Sequence, residues 1–208
     1  MVDLQYQRTV IGYHGCEATL AANVLAGRTG LKLSTNPYDW LGGGIYFWEH
    51  GPQRAYEWAN EHARLSGTKI KTPSVLGAKI NLGVCLDLLD TANTELLRRW
   101  YVEFKHFFRQ KGIMMPHNRD APGSRRGDKV LRFRDCAVID YTLSDLAATE
   151  HVKYQTVRGV FLEGKPAFPG SKIALKSHIQ IAVNDPTCIL EFFRVDPPQY
   201  QRKFDRRD

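Results

Sequence analysis

Residues 42–44 are three consecutive glycines that lead directly into the aromatic and branched segment Ile-Tyr-Phe-Trp at 45–48. Glycine has no Cβ, so this run can turn at positive φ and bring the backbone close to a ligand. The rings behind it offer a flat apolar wall, and Tyr46 adds a phenolic hydroxyl. This combination suits a flat heteroaromatic group such as nicotinamide. The alternative interpretation is an ordinary glycine-rich turn that leads into a core strand.

Two other fragments carry side chains suited to binding or proton transfer. One is Tyr13-His14-Gly15, at the end of a predicted strand, and the other contains His178 and Gln180 on a late strand. Side chains two apart on a strand share a face, so His178 and Gln180 are expected to point the same way. The alternative for each histidine is an ordinary strand residue with no chemical role.

Hydrophobic periodicity and turn residues predict an α+β fold in which these fragments lie on strands. Helices are expected at 17–26, 53–65, 95–110 and 143–148. Strands are expected at 7–13, 44–48, 75–86, 156–162, 178–183 and 189–195, and residues 136–142 could form a strand or a helix.

Composition narrows the class of protein. The chain has 208 residues, 43% of them hydrophobic, which fits one compact domain. It contains no apolar run near the roughly 20 residues that cross a bilayer, and its N-terminus lacks the pattern of a secretory signal. We therefore expect a cytoplasmic protein with no membrane partner. The cysteines lack the spacing of a zinc site, so we expect reduced core residues and no metal; they are Cys16, Cys85, Cys136 and Cys188.

Taken together, the three fragments resemble the ADP-ribosyltransferase superfamily, in its diphtheria-toxin-like branch that includes the poly-ADP-ribose polymerases. That branch has a His-Gly on one strand, a glycine-rich segment leading into Gly-Ile-Tyr-Phe, and a glutamate or a substitute near the C-terminus. Residues 75–88 also resemble the strand that follows the helix in that branch. The resemblance covers most of 7–90 and 154–196. It implies a split antiparallel β-sheet core with peripheral helices, within a single catalytic domain over 1–208.

The resemblance also implies roles for the first two fragments, with NAD as the co-substrate. His14 would hydrogen-bond the ribose hydroxyl of the adenosine half, and the Gly15 backbone would pair with the nicotinamide carboxamide. Gly44 would bring the backbone close to the dinucleotide, and Tyr46 would stack on nicotinamide.

Further aromatic side chains could complete this cofactor site. A second ring from the following helix usually closes the sandwich around nicotinamide. Tyr56 and Trp58 each lie one residue from the family position, so either could supply it. Tyr38, in the loop before the glycines, could cover the dinucleotide, with Asn36 and Asp39 as polar neighbours.

The third fragment departs from the family pattern because Gln180 stands where the resemblance places a glutamate. A neutral amide makes poly-ADP-ribose elongation an unexpected activity, while transfer of a single ADP-ribose remains compatible with it. A His178 side chain with a near-neutral pKa could orient the acceptor or take its proton. With the register slipped, Glu163 or Glu191 would supply the carboxylate instead.

The net charge of +7 favours a polyanionic partner. Residues 111–134 are predicted to form a basic loop. This loop and the helix before it, at about 91–135, lie outside the resemblance and are expected to be particular to the subgroup of the superfamily to which this chain would belong. Four of its arginines are candidate contacts to nucleic acid or another acceptor, although a solvated basic surface is an equal alternative: Arg119, Arg125, Arg126 and Arg132. The C-terminal tail repeats the pattern with Arg202, Lys203, Arg206 and Arg207.

The sequence therefore predicts a mono-ADP-ribosyltransferase that cleaves NAD and modifies a macromolecule, as a toxin or a phage-defence effector. RNA or DNA is a credible acceptor, protein is a close alternative, and an antitoxin is a candidate partner. The competing functions are an NAD glycohydrolase and an inactive module that binds NAD and nucleic acid.

Overall fold

The computed structural model describes residues 5–122, 124 and 127–196. Its strands are β1 (Gln5–Glu17), β2 (Ile45–Glu49), β3 (Pro73–Asp87), β4 (Thr156–Phe161), β5 (His178–Val183) and β6 (Ile189–Arg194). Its α-helices are α1 (Ala18–Leu25), α2 (Pro52–Ala63), α3 (Thr91–Lys111) and α4 (Phe133–Thr149), and a 3-10 turn covers Pro186–Cys188. The α+β class predicted from the sequence is confirmed.

The six strands form one sheet in the order β1-β2-β5-β4-β3-β6, and β1 also pairs with β3. The pairings β1–β2–β5–β4–β3–β1 therefore close a circuit, with β6 added on β3. The ladder between β1 and β2 is very short, with only the pairs Gly12–Glu49 and Tyr13–Trp48. By contrast, β1 and β3 pair from Gln5 to Glu17.

Three details of the predicted architecture need correction. The sheet is mixed rather than wholly antiparallel, because β3 and β4 run parallel. The first strand continues through Glu17, since its long ladder with β3 holds the backbone extended beyond Tyr13. Residues 136–148 belong to one continuous helix, α4, whose buried side chains recur at helical spacing: Cys136, Ile139, Thr142 and Leu146.

Helix α3 has clear start and stop signals in the sequence. The Asp90 side chain accepts a hydrogen bond from the Ala92 N–H at 2.9 Å, which caps the first turn. Gly112 ends the helix at φ +64°, a left-handed conformation that favours glycine. Phe104, 1% exposed, fixes the inner face of α3 through its ring contact with Tyr141 of α4, at 5.5 Å between centroids.

Two hydrophobic clusters hold the sheet and its helices together. Inside the circuit of strands, one cluster includes Val10, Ile45, Phe47, Ile80, Leu82, Ile181 and Val183. On the opposite face, a second cluster joins α4 to the sheet and includes Leu41, Leu86, Ile139, Leu146, Val157 and Ala182. Each large side chain buried in this way contributes roughly 1.5–3 kcal/mol to folding.

A buried charge network ties together β2, β3 and β4. Arg158 donates from Nε and Nη2 to the two carboxylate oxygens of Glu49, at 2.6 and 3.0 Å. Its Nη1 donates to both oxygens of Asp87, at 3.2 and 3.0 Å. The three side chains are between 4% and 7% exposed. These carboxylates raise the pKa of Arg158 despite the opposing effect of burial.

The cysteine side chains all lie in the interior, as predicted, and none of the four forms a disulfide. Burial raises the pKa of three of these thiols to about 12: Cys16, Cys85 and Cys136. Within the described residues, no helix combines the length and apolar character needed to cross a membrane.

Candidate active site

The three fragments identified in the sequence lie on the adjacent strands β1, β2 and β5. Beyond Tyr13 the β1–β2 ladder ends, and the His14 side chain bridges the diverging strands. Its Nδ1 donates to the Tyr46 carbonyl oxygen at 2.8 Å, which leaves Nε2 as the nitrogen free to accept. Burial lowers the pKa of His14, so its imidazole is neutral at pH 7. This side chain can accept a hydrogen bond from a hydroxyl but cannot supply a positive charge.

Tyr46 uses its hydroxyl to hold the glycine-rich loop. The hydroxyl donates to the Gly42 carbonyl oxygen at 2.7 Å and accepts from the Leu41 N–H at 2.9 Å. Burial raises the pKa of Tyr46, and Asp39 adds to the shift. The phenol is therefore not a source of protons near neutral pH, and its ring packs against the second hydrophobic cluster.

The glycines of this loop make room for the protein's own atoms. Gly42 has φ +81°, and a Cβ there would lie 2.4 Å from Oδ1 of Asp140 on α4. The same oxygen accepts a hydrogen bond from the Gly43 N–H at 3.0 Å. At Gly44, with φ +148°, a Cβ would lie 2.9 Å from the side-chain oxygen of Asn184. The glycine run thus docks the loop onto α4 and β5, which agrees with the simpler interpretation of the motif.

Gln180 is 9% exposed and has a fixed orientation. Its Oε1 accepts a hydrogen bond from Trp40 Nε1 at 2.6 Å. Because an indole nitrogen only donates, the amide oxygen must face Trp40 and the NH₂ group is left to meet a ligand. Gln180 can consequently donate to a hydroxyl but does not present a free acceptor.

A cluster of buried polar atoms without partners among the described residues lies near His178. It contains His178 Nε2, Trp48 Nε1 and Arg54 Nε, while Arg54 Nη1 makes no hydrogen bond and lies 3.8 Å from a carboxylate oxygen of Glu57. The centroids of the His178 and Trp48 rings are 6.1 Å apart. Trp48 and Arg54 meet at Gly51, because a Cβ built on this glycine would lie within 4 Å of the Cβ atoms of both residues. Arg54 Nη2 donates to Glu163 at 3.0 Å. Buried polar atoms need partners, so this polar cluster is suited to a bound polar group or to water.

His178 differs from the expected near-neutral base. Its Nδ1 donates to the Lys176 carbonyl oxygen at 2.6 Å, and burial lowers its pKa to about 4, with positive charge on Arg54 adding to the effect. A base this weak takes little part in proton abstraction at pH 7. The neutral Nε2 can still accept a hydrogen bond.

This buried histidine predicts a pH dependence of stability. The unfolded chain binds a proton on His178 near pH 6.5 and the folded chain only near pH 4, so acidification over that window favours unfolding. The expected loss is roughly 2–3 kcal/mol between pH 7 and pH 4. In His178→Asn, the amide retains a donor for the Lys176 carbonyl but does not titrate. Urea unfolding should show a smaller acid loss for the variant, and parallel curves for the two proteins would contradict the assignment.

The strand register places the candidate side chains on two faces of the sheet. Trp48 pairs directly with Gln180, and Tyr46 with Ala182, so Tyr46, Trp48 and Gln180 project from one face. His14 instead contacts the Phe47 ring, at 5.8 Å between centroids, on the other face. His14 and Gln180 therefore lie on opposite faces of the sheet. A single ligand could contact both only by passing from one face to the other where the short ladder between β1 and β2 ends.

Gly15 lies beside the polar cluster. It pairs with Val75 of β3, and no described residue of β2 pairs with it on its other side. A Cβ on Gly15 would lie 2.2 Å from the Ala55 carbonyl oxygen, so the strand and α2 meet closely here. The β2-facing edge of the Gly15 backbone is thus positioned next to the N-terminal turn of α2.

The predicted second ring has two different candidates in the structure. Trp58 lies 5.7 Å from Trp48 and stacks on His62, with centroids 3.8 Å apart. Tyr56 is half-buried and packs against the same cluster of Trp48 and its neighbours. Both rings belong to the hydrophobic contact between α2 and the sheet, and the Trp48 ring that Trp58 contacts lies 6.1 Å from the ring of His178.

The remaining predicted residues lie around this centre. Tyr38 is 37% exposed, and its ring contacts Phe133 at the start of α4, at 5.7 Å. Asn36 donates to Asp39 at 3.4 Å in the same loop, and burial raises the pKa of Asp39. Glu191 is exposed on β6, at the far side of β3.

Two of the four candidate acceptor arginines make contacts within the chain. The Arg119 guanidinium lies 5.4 Å from the Phe133 ring centroid. The Arg132 guanidinium lies 4.8 Å from the ring centroid of Phe161, and its Nη1 donates to the Asp135 carboxylate at 3.2 Å. Arg125, Arg126 and the basic tail, including Arg202 and Arg207, lie outside the described residues.

Sequence reasoning did not identify Trp40, Trp48, Arg54 and Asp140 as site residues. The only local signal was the position of Trp40 and Trp48 on either side of the glycine motif. Nothing in the sequence marks Arg54 or Asp140, because their partners are distant along the chain. Within the described residues, no group of three or more histidine, cysteine or acidic side chains could hold a metal ion.

No protein-family model, curated protein or solved structure matches this chain.

Proposed function

We propose that the chain is a mono-ADP-ribosyltransferase that cleaves NAD at the nicotinamide–ribose bond and transfers ADP-ribose to a macromolecule. The observation that carries this proposal is the position of the three motif fragments on the adjacent strands β1, β2 and β5, although 134 residues separate Tyr46 from Gln180 in the sequence. The resemblance to the ADP-ribosyltransferase superfamily rests on the same three fragments.

The polar cluster supports nicotinamide as the group bound beside α2. A carboxamide has an NH₂ donor and a carbonyl acceptor, so its site needs partners of both kinds. His178 Nε2 can accept, while Trp48 Nε1 and Arg54 Nε can donate, and each of these three atoms is buried without a hydrogen-bond partner among the described residues. The open backbone edge of Gly15 next to α2 adds a second possible pair of contacts.

The two-faced arrangement suits a dinucleotide that bends from one face of the sheet to the other. With nicotinamide beside Trp48, the adenosine ribose would reach His14 Nε2 across the gap where the β1–β2 ladder ends. Gln180 would donate its NH₂ to the nicotinamide ribose, since its oxygen is held by Trp40. Binding in this bent pose would hold the glycosidic bond for cleavage, and a donor on the ribose orients it without providing negative charge.

The glycohydrolase alternative is favoured by one observation. Neither Gln180, whose oxygen is bonded, nor His178, whose pKa lies near 4, supplies a strong base to activate an acceptor. Water, which needs no specific positioning by a macromolecule, could then capture the ribosyl cation. The two reactions share the NAD site and differ only in what attacks the ribose.

NAD labelled in the adenylate group separates these activities. We expect the protein to release nicotinamide and to transfer label when it is incubated with separate pools of RNA, DNA and cell protein. Release without macromolecular label would favour the glycohydrolase. If no nicotinamide is released with any pool, both enzymatic functions are wrong, and the binding module remains.

A further inference from the structure

A cavity of about 510 Å³ lies between α3, α4 and the loop that carries Trp40. Its apolar lining consists of Trp40, Leu88, Leu97, Val138 and Ile139. This volume is in the range of sites that hold small organic ligands. The polar cluster at His178, Trp48 and Arg54 contributes no residue to this lining, so the cavity is a separate feature of the fold.

Positive charge surrounds this apolar lining. Arg98, Arg132 and Arg134 line the cavity together with a single carboxylate, that of Asp135. That carboxylate is already neutralised, because it accepts from Arg132 Nη1 at 3.2 Å and from Asn118 at 2.8 Å. The Arg132 Nε is buried and has no partner among the described residues. An anionic group would therefore find unsatisfied donors at the edge of an apolar cavity.

Two aromatic side chains add a surface for a flat group. Trp40 packs over the backbone of Gly159, where a Cβ would lie 2.9 Å from the indole, and Tyr101 of α3 also lines the cavity. Nucleobases stack on such rings with little regard to sequence. A flat apolar group joined to an anion is the chemistry of a nucleotide.

We propose that this cavity binds one nucleotide of a single-stranded nucleic acid, with its base against Trp40 and Tyr101 and its phosphate at the arginines. The inference rests on the proposed function, and it assigns the acceptor to nucleic acid. Trp40 connects the cavity to the site, since its Nε1 bonds Gln180 at 2.6 Å. A strand held here passes beside the residue that would face the nicotinamide ribose.

The position of the cavity distinguishes this nucleotide from the adenylate half of NAD. Trp40 packs on β4, whereas His14, which would contact the adenosine ribose, is on β1. In the circuit of strands, β2 and β5 lie between β1 and β4 on one side and β3 on the other, so at least two strand spacings, roughly 10 Å, separate them.

Neighbouring arginines on α3 provide a matched test of the phosphate contact. Arg98 lines the cavity with a side chain that is 75% exposed; its Nε bonds Glu95 at 2.8 Å, which leaves its two Nη groups for a phosphate. Arg99 is exposed and lies outside the lining. Binding of fluorescein-labelled ten-nucleotide single-stranded RNA and DNA is measured by anisotropy over a range of salt concentrations, without NAD. Arg98→Gln should weaken binding about 3- to 10-fold and reduce the salt slope by about 1, and Arg99→Gln should change affinity less than about twofold. Equal effects of the two substitutions would overturn the cavity assignment.

Competition tests the base and separates the two nucleotide sources. UMP and AMP should displace the labelled strand at concentrations at least about tenfold lower than ribose 5-phosphate, because stacking on the rings requires a base. Saturating UMP should leave the Kd of NAD, measured by calorimetry, unchanged. Equal potency of ribose 5-phosphate, or a Kd for NAD that rises with UMP, would overturn the inference. Nicotinamide release is measured on the same wild-type protein, so failure of the proposed NAD reaction is seen separately from failure of strand binding.

Discussion

Arg158→Met is expected to reduce the free energy of unfolding by roughly 3–5 kcal/mol, measured by urea denaturation at pH 7. The guanidinium makes four hydrogen bonds to Glu49 and Asp87, and removing it leaves two carboxylates buried side by side with only the surface contact of Arg8 to Glu49. The three residues belong to β2, β4 and β3, so the loss reaches β2, the strand that carries Tyr46.

Arg8→Met is the matched control, because Arg8 contacts the same Glu49 from the surface. Its Nη2 lies 3.4 Å from Glu49, and its side chain is 53% exposed. Exposed ion pairs contribute less than about 1 kcal/mol, so this substitution should have a small effect. Similar losses in the two variants would mean that the buried network contributes no more than a surface pair.

The parts of the fold that the sequence predicted well are those with local signals. Helix α3 was expected at 95–110 because its aromatic residues recur at helical spacing, and Asp90 and Gly112 set its actual limits a few residues outward. The segment at 136–142 was ambiguous because its β-branched residues also suit a strand. In the structure the segment is helical, with buried side chains at helical spacing as far as Leu146. Their burial comes from packing against the sheet, which the local sequence does not show.

Contacts between distant residues could not be predicted in the same way. Trp40 and Gln180 are 140 residues apart, and nothing near either residue indicates the hydrogen bond between them. The network around Arg158 joins residues from three strands, and the parallel pairing of β3 and β4 depends on the same tertiary arrangement. The low pKa of His178 likewise follows from burial against neighbouring elements, which the sequence does not display.

The motifs of the candidate site were found from residue types alone, but their geometry was not. The resemblance combined the three fragments by their order and spacing, and the structure adds that β1, β2 and β5 are neighbours in the sheet. The sequence did not indicate that the glycine run makes room for Asp140 and Asn184, or that His14 bridges two strands. These contacts give His14 and Tyr46 structural roles beside the proposed ones, so a test of function must separate the two.

Two substitutions at His14 make this separation. His14→Ala removes both ring nitrogens, whereas His14→Asn retains a donor near the position of Nδ1 for the Tyr46 carbonyl oxygen and lacks only Nε2. If Nε2 contacts the adenosine ribose, both variants should lose at least about 100-fold in kcat/KM for nicotinamide release from NAD. His106→Asn, an exposed site on α3, should retain wild-type kinetics.

The comparison between the two variants is more informative than either loss alone. A role confined to bridging β1 and β2 predicts that His14→Asn behaves like wild type while His14→Ala loses both stability and activity. Contact with NAD predicts equal losses of activity, with the stability of His14→Asn preserved in urea denaturation and NAD binding weakened in calorimetry. Full activity in a folded His14→Ala would show that the dinucleotide does not reach β1, and the gap between β1 and β2 would then have no part in binding it.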